Sequence, residues 1–289
     1  MMEIISDAKI WRALMTQWRH DGDHIGFCPT MGALHAGHLS LVEHAREQCD
    51  RVGVSIFVNP TQFNQATDLA AYPRPLDADL AMVQAAGVYA VFVPEVHEIY
   101  PVYPEPTAVR VEVGELGQRF EGADRPGHFS GMATVVSILL NVTQAHAAYF
   151  GEKDFQQLVI VNALVRDLMI DTKIVGVPTL READGLAMSS RNVRLSEQGR
   201  FEARVINQAL QVAQEAAAQG GSVGQVERAL RDHLATCAVF RVSYAQIVDP
   251  VTLLPVSPEV RHGNYRALVA GIIEGVRLLD NAEVRFPPS

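Results

Sequence analysis

Short apolar runs closed by turn residues alternate, through the first part of the chain, with longer stretches whose apolar positions recur at helical spacing. The runs at 24–30, 52–58, 88–93, 147–150 and 173–177 predict strands, and the stretches at 37–49, 76–86, 129–143 and 154–168 predict helices. Continuous apolar runs suit a parallel sheet covered on both faces, so the alternation predicts a doubly wound α/β fold. Beyond Pro178 the texture changes. A polar stretch at 179–192 precedes helical patterns at 197–219 and 223–236, separated by Gly220 and Gly221, and strands are expected at 242–248 and 268–273. The expected division is a larger α/β domain over 1–176 and a smaller α+β domain over 177–289. The segment 94–125, rich in Pro, Gly, Glu and Tyr, reads as a covering flap or subunit contact.

Composition narrows the function classes. With 48% apolar and 20% charged residues among 289, the chain is neither disordered nor fibrous. Its 24 Lys+Arg against 33 Asp+Glu give a net charge of −9, which argues against nucleic acid or anionic lipid as the main partner. A small anion remains possible, since it needs only a local cluster of donors. Glu3, Asp7 and Lys9 interrupt the N-terminal stretch, so no secretory signal or anchor is expected there. No later window approaches the roughly 20 apolar residues of a membrane span. Cys28, Cys49 and Cys237 form neither a CxxC pair nor a zinc spacing, and a reducing cytoplasm is the expected compartment.

Four segments carry candidate chemistry, three of them at strand ends. Pro29 to Leu41 follows the first strand and opens a helix, where amide N–H groups and the macrodipole favour phosphate. Within it Gly32 and Gly37 allow close approach, and His35 and His38 can face one ligand or merely cap the helix. Asn59-Pro60-Thr61-Gln62-Phe63 follows the second strand, offering neutral two-way hydrogen-bonding groups or a plain turn. Gly151-Glu152-Lys153-Asp154-Phe155-Gln156-Gln157 follows a strand and opens another helix. Asp154 suits an N-cap, whereas Lys153 opposes the helix dipole unless an anion is bound. In 181–192, Ser189-Ser190-Arg191 joins two hydroxyls to a planar cation, suited to phosphate or else part of a solvated linker.

Together these segments resemble the pantoate–β-alanine ligase (pantothenate synthetase) family, within the HIGH-motif nucleotidyltransferase superfamily. The stretches PTMGALHAGHLSLV, FVNPTQF, YPR, PGHF, FGEKDFQQL, VGVPTLREADGLAMSSRN and ALVAGIIEGVRLLDN follow the family's order across nearly the whole chain. HxGH alone points to the superfamily; GEKDFQQL and DGLAMSSRN, the latter in place of the synthetases' KMSKS, point to this family.

The resemblance implies a Rossmann-like nucleotide- and pantoate-binding domain, with the C-terminal α+β domain acting as a lid. It implies ATP-dependent condensation of (R)-pantoate with β-alanine to pantothenate, AMP and pyrophosphate through a bound pantoyl adenylate, in pantothenate and coenzyme A biosynthesis. On that resemblance Met31, Gly32, Ala33, Leu34, His35, Ala36, Gly37 and His38 cradle ATP, with His38 the nominal proton donor and His35 a phosphate contact. Lys153, Ser189, Ser190 and Arg191 bind the phosphates and departing pyrophosphate, while Gly151, Glu152, Asp154, Leu180 and Met188 complete the nucleotide site. Gln62 and Gln157 hold pantoate, Gln62 also near β-alanine, and Asn59, Tyr72, Arg125 and His128 line the neighbourhood. Mg2+ accompanies the ATP; its protein ligands are unassigned, although Asp77 and Asp79 lie in the matching segment. A cytoplasmic homodimer is the family-level expectation.

Two stretches depart from the family's wording. HFRG reads His128-Phe129-Ser130-Gly131 here, so Ser130 offers no guanidinium, and Asn64 to Leu69 lacks the usual Gly/Glu-rich sequence. No residue stands out as a general base for the β-alanine amine, so orientation against the adenylate is expected to supply most of that rate. The competing readings are a nucleotidyltransferase that stops at an adenylate or dinucleotide product, and a nucleotide-binding regulator without turnover.

Overall fold

The computed structural model of the chain describes residues 2–63 and 66–288; Asn64 and Gln65, in the divergent loop, lie outside the described residues. Two units divide the chain, one from Met1–Glu152 and Gln156–Pro178, the other from Lys153–Phe155 and Thr179–Ser289. The first runs β1 (Glu3–Ile5), α1 (Ala8–His20), β2 (Ile25–Thr30), α2 (Ala36–Gln48), β3 (Arg51–Ile56), α3 (Ala66–Ala71), α4 (Leu76–Ala85) and β4 (Ala90–Phe92). It continues with α5 (Val96–Ile99), α6 (Glu121–Asp124), α7 (His128–Thr143), β5 (Ala147–Gly151), α8 (Phe155–Asp167) and β6 (Lys173–Val177). The strands form one sheet in the order β1-β4-β3-β2-β5-β6, every neighbouring pair parallel.

The apolar runs explain the sheet's position. Ile25, Phe27 and Cys28 of β2 and Val52 and Val54 of β3 are fully buried, as strands covered on both faces require. The path moves one way along the sheet from β2 to β3 and the other way from β4 to β5. Right-handed crossovers therefore place α2 and α7 on opposite faces. Helix α1, which packs with α7, is N-capped by Asp7 and buries Trp11, Met15 and Trp18 at helical spacing. Trp11 stacks on Phe92 at 5.3 Å, and its indole N–H donates to Thr143 Oγ1 at 2.9 Å.

In the second unit, α9 (Glu197–Ala203), α10 (Val205–Ala218) and α11 (Val223–Leu234) precede β7 (Arg241–Val248), β8 (Gly263–Ile273) and β9 (Val276–Phe286). The three strands form an antiparallel sheet in chain order, against which α10 and α11 pack. Leu210, Leu230 and Leu234 meet Ile247, Val269 and Val284 in its core. The stretch read as a single helix over 197–219 breaks at Arg204. Strand β9 was not expected; it pairs through a turn at Glu274 and Gly275, both at positive φ (51° and 75°). Among the described residues no helix is long and apolar enough to cross a membrane.

At the amino end of the first unit's sheet, His146 Nδ1 accepts the Ile25 N–H at 2.9 Å, and its ring stacks on His24 at 4.5 Å. Burial, then the charges of Arg19 and His24, hold the His146 pKa below the usual imidazole range, against a weaker opposing pull from Asp171. The unfolded chain therefore takes up the proton first. This contribution to stability is complete above about pH 6.5 and is lost as the pH falls from there through the lower folded-state pKa. Replacing the ring by His146→Asn keeps an acceptor toward Ile25 and removes the titration. The melting temperature of the parent should fall more steeply than that of the variant between about pH 7 and pH 5; parallel profiles would refute the assignment.

Candidate functional site

Strands β2 and β3 end level, Thr30 opposite Ile56, so the loops that follow them leave the same sheet edge together. In the first loop Gly32 (φ 79°) and Ala33 (φ 51°) are successive left-handed residues. A side chain at Gly32 would be strained by that φ and would bring a Cβ to 2.9 Å from Asp79 Oδ2. Asp79, on α4 and only 2% exposed, accepts the Ala33 and Leu34 N–H groups on its two oxygens at 2.8 Å each. Thr30 Oγ1 accepts Gly32 N–H at 3.3 Å. The amides of 32–34, read from the sequence as a phosphate cradle, are thus engaged within the protein.

The two histidines close a capping box on α2. His35 Nδ1 accepts Gly37 N–H at 3.1 Å and His38 Nδ1 accepts His35 N–H at 3.3 Å, with the rings 4.1 Å apart. An Nδ1 that accepts carries no proton, so each neutral ring has its hydrogen on Nε2.

In the second loop, the Pro60–Gln62 turn is organised by Asn59, 1% exposed. Its Nδ2 donates to Gln62 Oε1 at 3.0 Å and to the Gly131 carbonyl at 3.1 Å; its Oδ1 accepts the Tyr100 hydroxyl at 2.8 Å. Burial pushes the Tyr100 phenol up, with Thr61 and Asn59 pulling the other way, which keeps it a donor at neutral pH. Gln62 Nε2 donates to Met31 Sδ at 2.8 Å, joining the two loops. His128 Nδ1 donates to the Gln62 carbonyl at 2.8 Å, leaving Nε2 to accept from Arg125 at 3.4 Å. Gly131 makes this approach possible, since a Cβ there would lie 2.3 Å from the Thr61 carbonyl oxygen. Ser130 ties the 94–125 segment to α7, accepting Val113 N–H at 3.2 Å and donating to Glu112 at 2.8 Å.

The remaining predicted residues of this unit are dispersed. Tyr72 packs edge-on against Phe63, while Arg74 holds the Leu69 and Tyr72 carbonyls. Gln156, given no role from the sequence, is buried and binds the Leu116 and Arg119 carbonyls at 2.8 Å each. Its neighbour Gln157 is half-buried, with no hydrogen-bond partner among the described residues. A surface groove of about 650 Å³ along α1, lined by Lys9, Arg12 and His20, contains none of the predicted residues.

The second unit builds a cationic recess. Lys153, Ser189 and Arg191 line it with Asp280 and Arg277. Lys153 is 16% exposed, and its nearest carboxylate, Asp154, is 3.7 Å away. Arg191 has no ion-pair or hydrogen-bond partner for its guanidinium among the described residues. Ser189 Oγ accepts the Arg191 N–H at 3.2 Å. The stretch 180–188 folds back on itself, Met188 N–H to the Leu180 carbonyl at 3.0 Å and Glu182 N–H to that of Leu186 at 2.8 Å. Arg181 pairs in bidentate fashion with Asp280, 4% exposed, at 2.6 and 3.1 Å. Arg200 pairs with Glu182 and Asp184, and Asn192 Nδ2 bonds Glu182 at 2.8 Å. Ser190 is half-buried beside them.

Asp77 and Asp79, both in the first turn of α4, separate by burial: Asp77 is exposed, Asp79 enclosed. Asp79→Asn would turn one acceptor into a donor facing an amide, and should cost about 1–3 kcal/mol in urea unfolding. Asp77→Asn should stay within about 0.5 kcal/mol of the parent. Equal effects would show that Asp79 does not hold the loop.

The sequence profile described as Pantoate-beta-alanine ligase matches residues 3–283. A pantothenate synthetase from Thermus thermophilus is 51% identical over 261 residues, covering 90% of this chain and 93% of the relative. A pantothenate synthetase crystal structure from the same organism gives a TM-score of 0.90 at 48% identity, covering 98% of this chain and all of that one. A pantoate-β-alanine ligase structure from Francisella tularensis, complexed with beta-gamma ATP and β-alanine, gives 0.79 at 35% identity, covering 98% and 97%. The chain belongs to the pantoate–β-alanine ligase family.

Proposed function

We propose that this protein condenses (R)-pantoate with β-alanine, using ATP, to give pantothenate, AMP and pyrophosphate. The observation that carries the phosphate assignment is the recess in which Lys153, Ser189 and Arg191 converge, the last without a carboxylate partner among the described residues. A pantoate carboxylate is a poor electrophile. Its oxygen attacks the α-phosphorus of ATP, the bond to the β-phosphate bridging oxygen breaks, and pantoyl adenylate and pyrophosphate form. Negative charge on the departing pyrophosphate calls for preorganised cations and hydroxyls, the roles given to Lys153, Arg191, Ser189 and Ser190. Gly151, Glu152, Asp154, Leu180 and Met188 are assigned to the surrounding nucleotide surface.

In the first unit the loop Met31 to His38 takes the nucleotide. Because its amides at 32–34 are occupied, its contacts fall to the Nε2 atoms of His35 and His38 and to backbone further along. His38 remains the proposed proton donor. Gln62 and Gln157 are assigned to pantoate, with Asn59, Arg125 and His128 fixing Gln62 directly and Tyr100 fixing Asn59. In the second step the neutral β-alanine amine attacks the acyl carbon and AMP leaves; positioning supplies most of that rate. Magnesium enters with the MgATP substrate. Among the described residues no three His, Cys, Asp or Glu side chains form a metal cluster, and Asp79 is committed to two amides. A cytoplasmic location and a homodimer complete the proposal.

The test is pyrophosphate release from MgATP and pantoate, with product masses determined with and without β-alanine. Pantothenate and AMP should accumulate only when both acids are supplied. Lys153→Ala should lower the adenylation rate by at least about 100-fold, the scale of losing one transition-state donor, with the melting temperature preserved. Near-parental activity in that variant would remove Lys153 from the mechanism.

A further inference from the structure

Lys153, Asp154 and Phe155 sit between two stretches of the first unit in sequence, yet they belong to the second. Two neighbouring strands account for this. On β9, Asn281 Nδ2 donates to the Lys153 carbonyl at 2.8 Å. On β8, the Arg266 guanidinium lies over the Phe155 ring at 4.3 Å. The two holders are joined, Arg266 Nε donating to Asn281 Oδ1 at 2.6 Å. Leu268 is opposite Asn281 in the ladder, so Arg266, two residues along, is its diagonal neighbour on the same sheet face. The preceding residue, Asp280, takes the bidentate Arg181 and also accepts the Asn281 N–H at 2.8 Å. Adjacent residues of one strand therefore hold both the stretch leading to Ser189 and Arg191 and the peptide that carries Lys153.

We infer that Asn281 is a positioning residue for Lys153, fixing its main chain so that Nζ is presented with Ser189 and Arg191 as one preformed anion receptor. The inference rests on the reading of that recess as the ATP-phosphate site. A lysine head is a point charge on a flexible stem, so its placement depends on how firmly its own backbone is held. Asn281 is 4% exposed, and its two ends are specific: the amide donates to a carbonyl, while the oxygen accepts from a cation. A carboxylate at this position keeps an acceptor for Arg266 and turns an oxygen toward the Lys153 carbonyl, breaking that contact.

MgATP binding is measured by calorimetry for the parent, Asn281→Asp, Lys153→Ala and the double variant. Asn281→Asp should weaken MgATP about tenfold, the scale of one such hydrogen bond, yet change affinity less than about twofold when Lys153→Ala is already present. Asn281→Ser, uncharged and too short to reach the carbonyl, is measured beside it and decides the matter if the aspartate variant does not fold. Parental affinity in the folded Asn281 variant, or an equal loss in both backgrounds, would overturn the positioning role. A parent that neither binds MgATP nor releases pyrophosphate with pantoate would instead overturn the nucleotide reading, and this inference with it.

Discussion

A carboxylate withdrawn from water must be met by donors, and in each unit of this protein that requirement fixes the loop that matters. Asp79 satisfies it with the N–H groups of Ala33 and Leu34, Asp280 with the fork of Arg181 and the N–H of Asn281. Burying either charge is costly, and removing a donor from such a site leaves the charge uncompensated. The same coupling lets an unfavourable backbone persist. Ala33 holds a left-handed conformation that costs roughly 1–2 kcal/mol for a residue with a Cβ. Two short, charge-assisted bonds to Asp79 offset it.

The capping of α2 by histidines has a chemical consequence beyond helix stability. A serine and glutamate box would satisfy the same orphan amides without restricting a titratable ring. With His35 and His38 in those places, protonation at Nδ1 would turn each acceptor into a second donor facing an N–H. The helix start thus favours neutral rings whose outward hydrogen is on Nε2. Such rings can orient and donate, but they bring little charge. The cationic side chains lie in the other unit, where Lys153 and Arg191 line the recess.

The centre of the parallel sheet was legible because burial on both faces leaves uninterrupted apolar runs, and the run at 24–30 became β2 within a residue; 173–177 became β6, an edge strand in which only Val177 is buried. Strand β9 was not legible. Arg277, Asp280 and Asn281 interrupt its apolar alternation, and two of them are there to bind loops rather than to face solvent. Strand β1 has three residues, too short for any periodicity. At the site, the motif positions were readable but their partners were not. The resemblance put Asp77 and Asp79 in one segment without distinguishing them, because sequence alone does not separate an exposed carboxylate from one enclosed by amides. Tyr100 lies in a stretch without regular pattern, and only the folded chain brings its hydroxyl to Asn59. Ser130 marked a missing arginine, whereas its contacts to Glu112 and Val113 arise from chain folding alone.

Charge pairing separates structural cations from available ones within a few residues. Arg181 and Arg200 flank the Ser189-Ser190-Arg191 segment in sequence, and each is matched by carboxylates. Arg191 has none among the described residues, and Lys153 has only Asp154 at 3.7 Å. Had the recess served stability alone, an acidic partner would be the simplest occupant, since like charges without one repel at reduced dielectric. Glu182 and Asp184 pin the segment through Arg200, and Asp280, although it lines the recess, is taken in bidentate fashion by Arg181. An anion that binds the folded form alone would then supply the missing partner and raise stability in proportion to its affinity and concentration. The missing counter-charge of Arg191 would thereby be linked to ligand binding: the framework is pinned without the anion, and the charge balance would be completed by it.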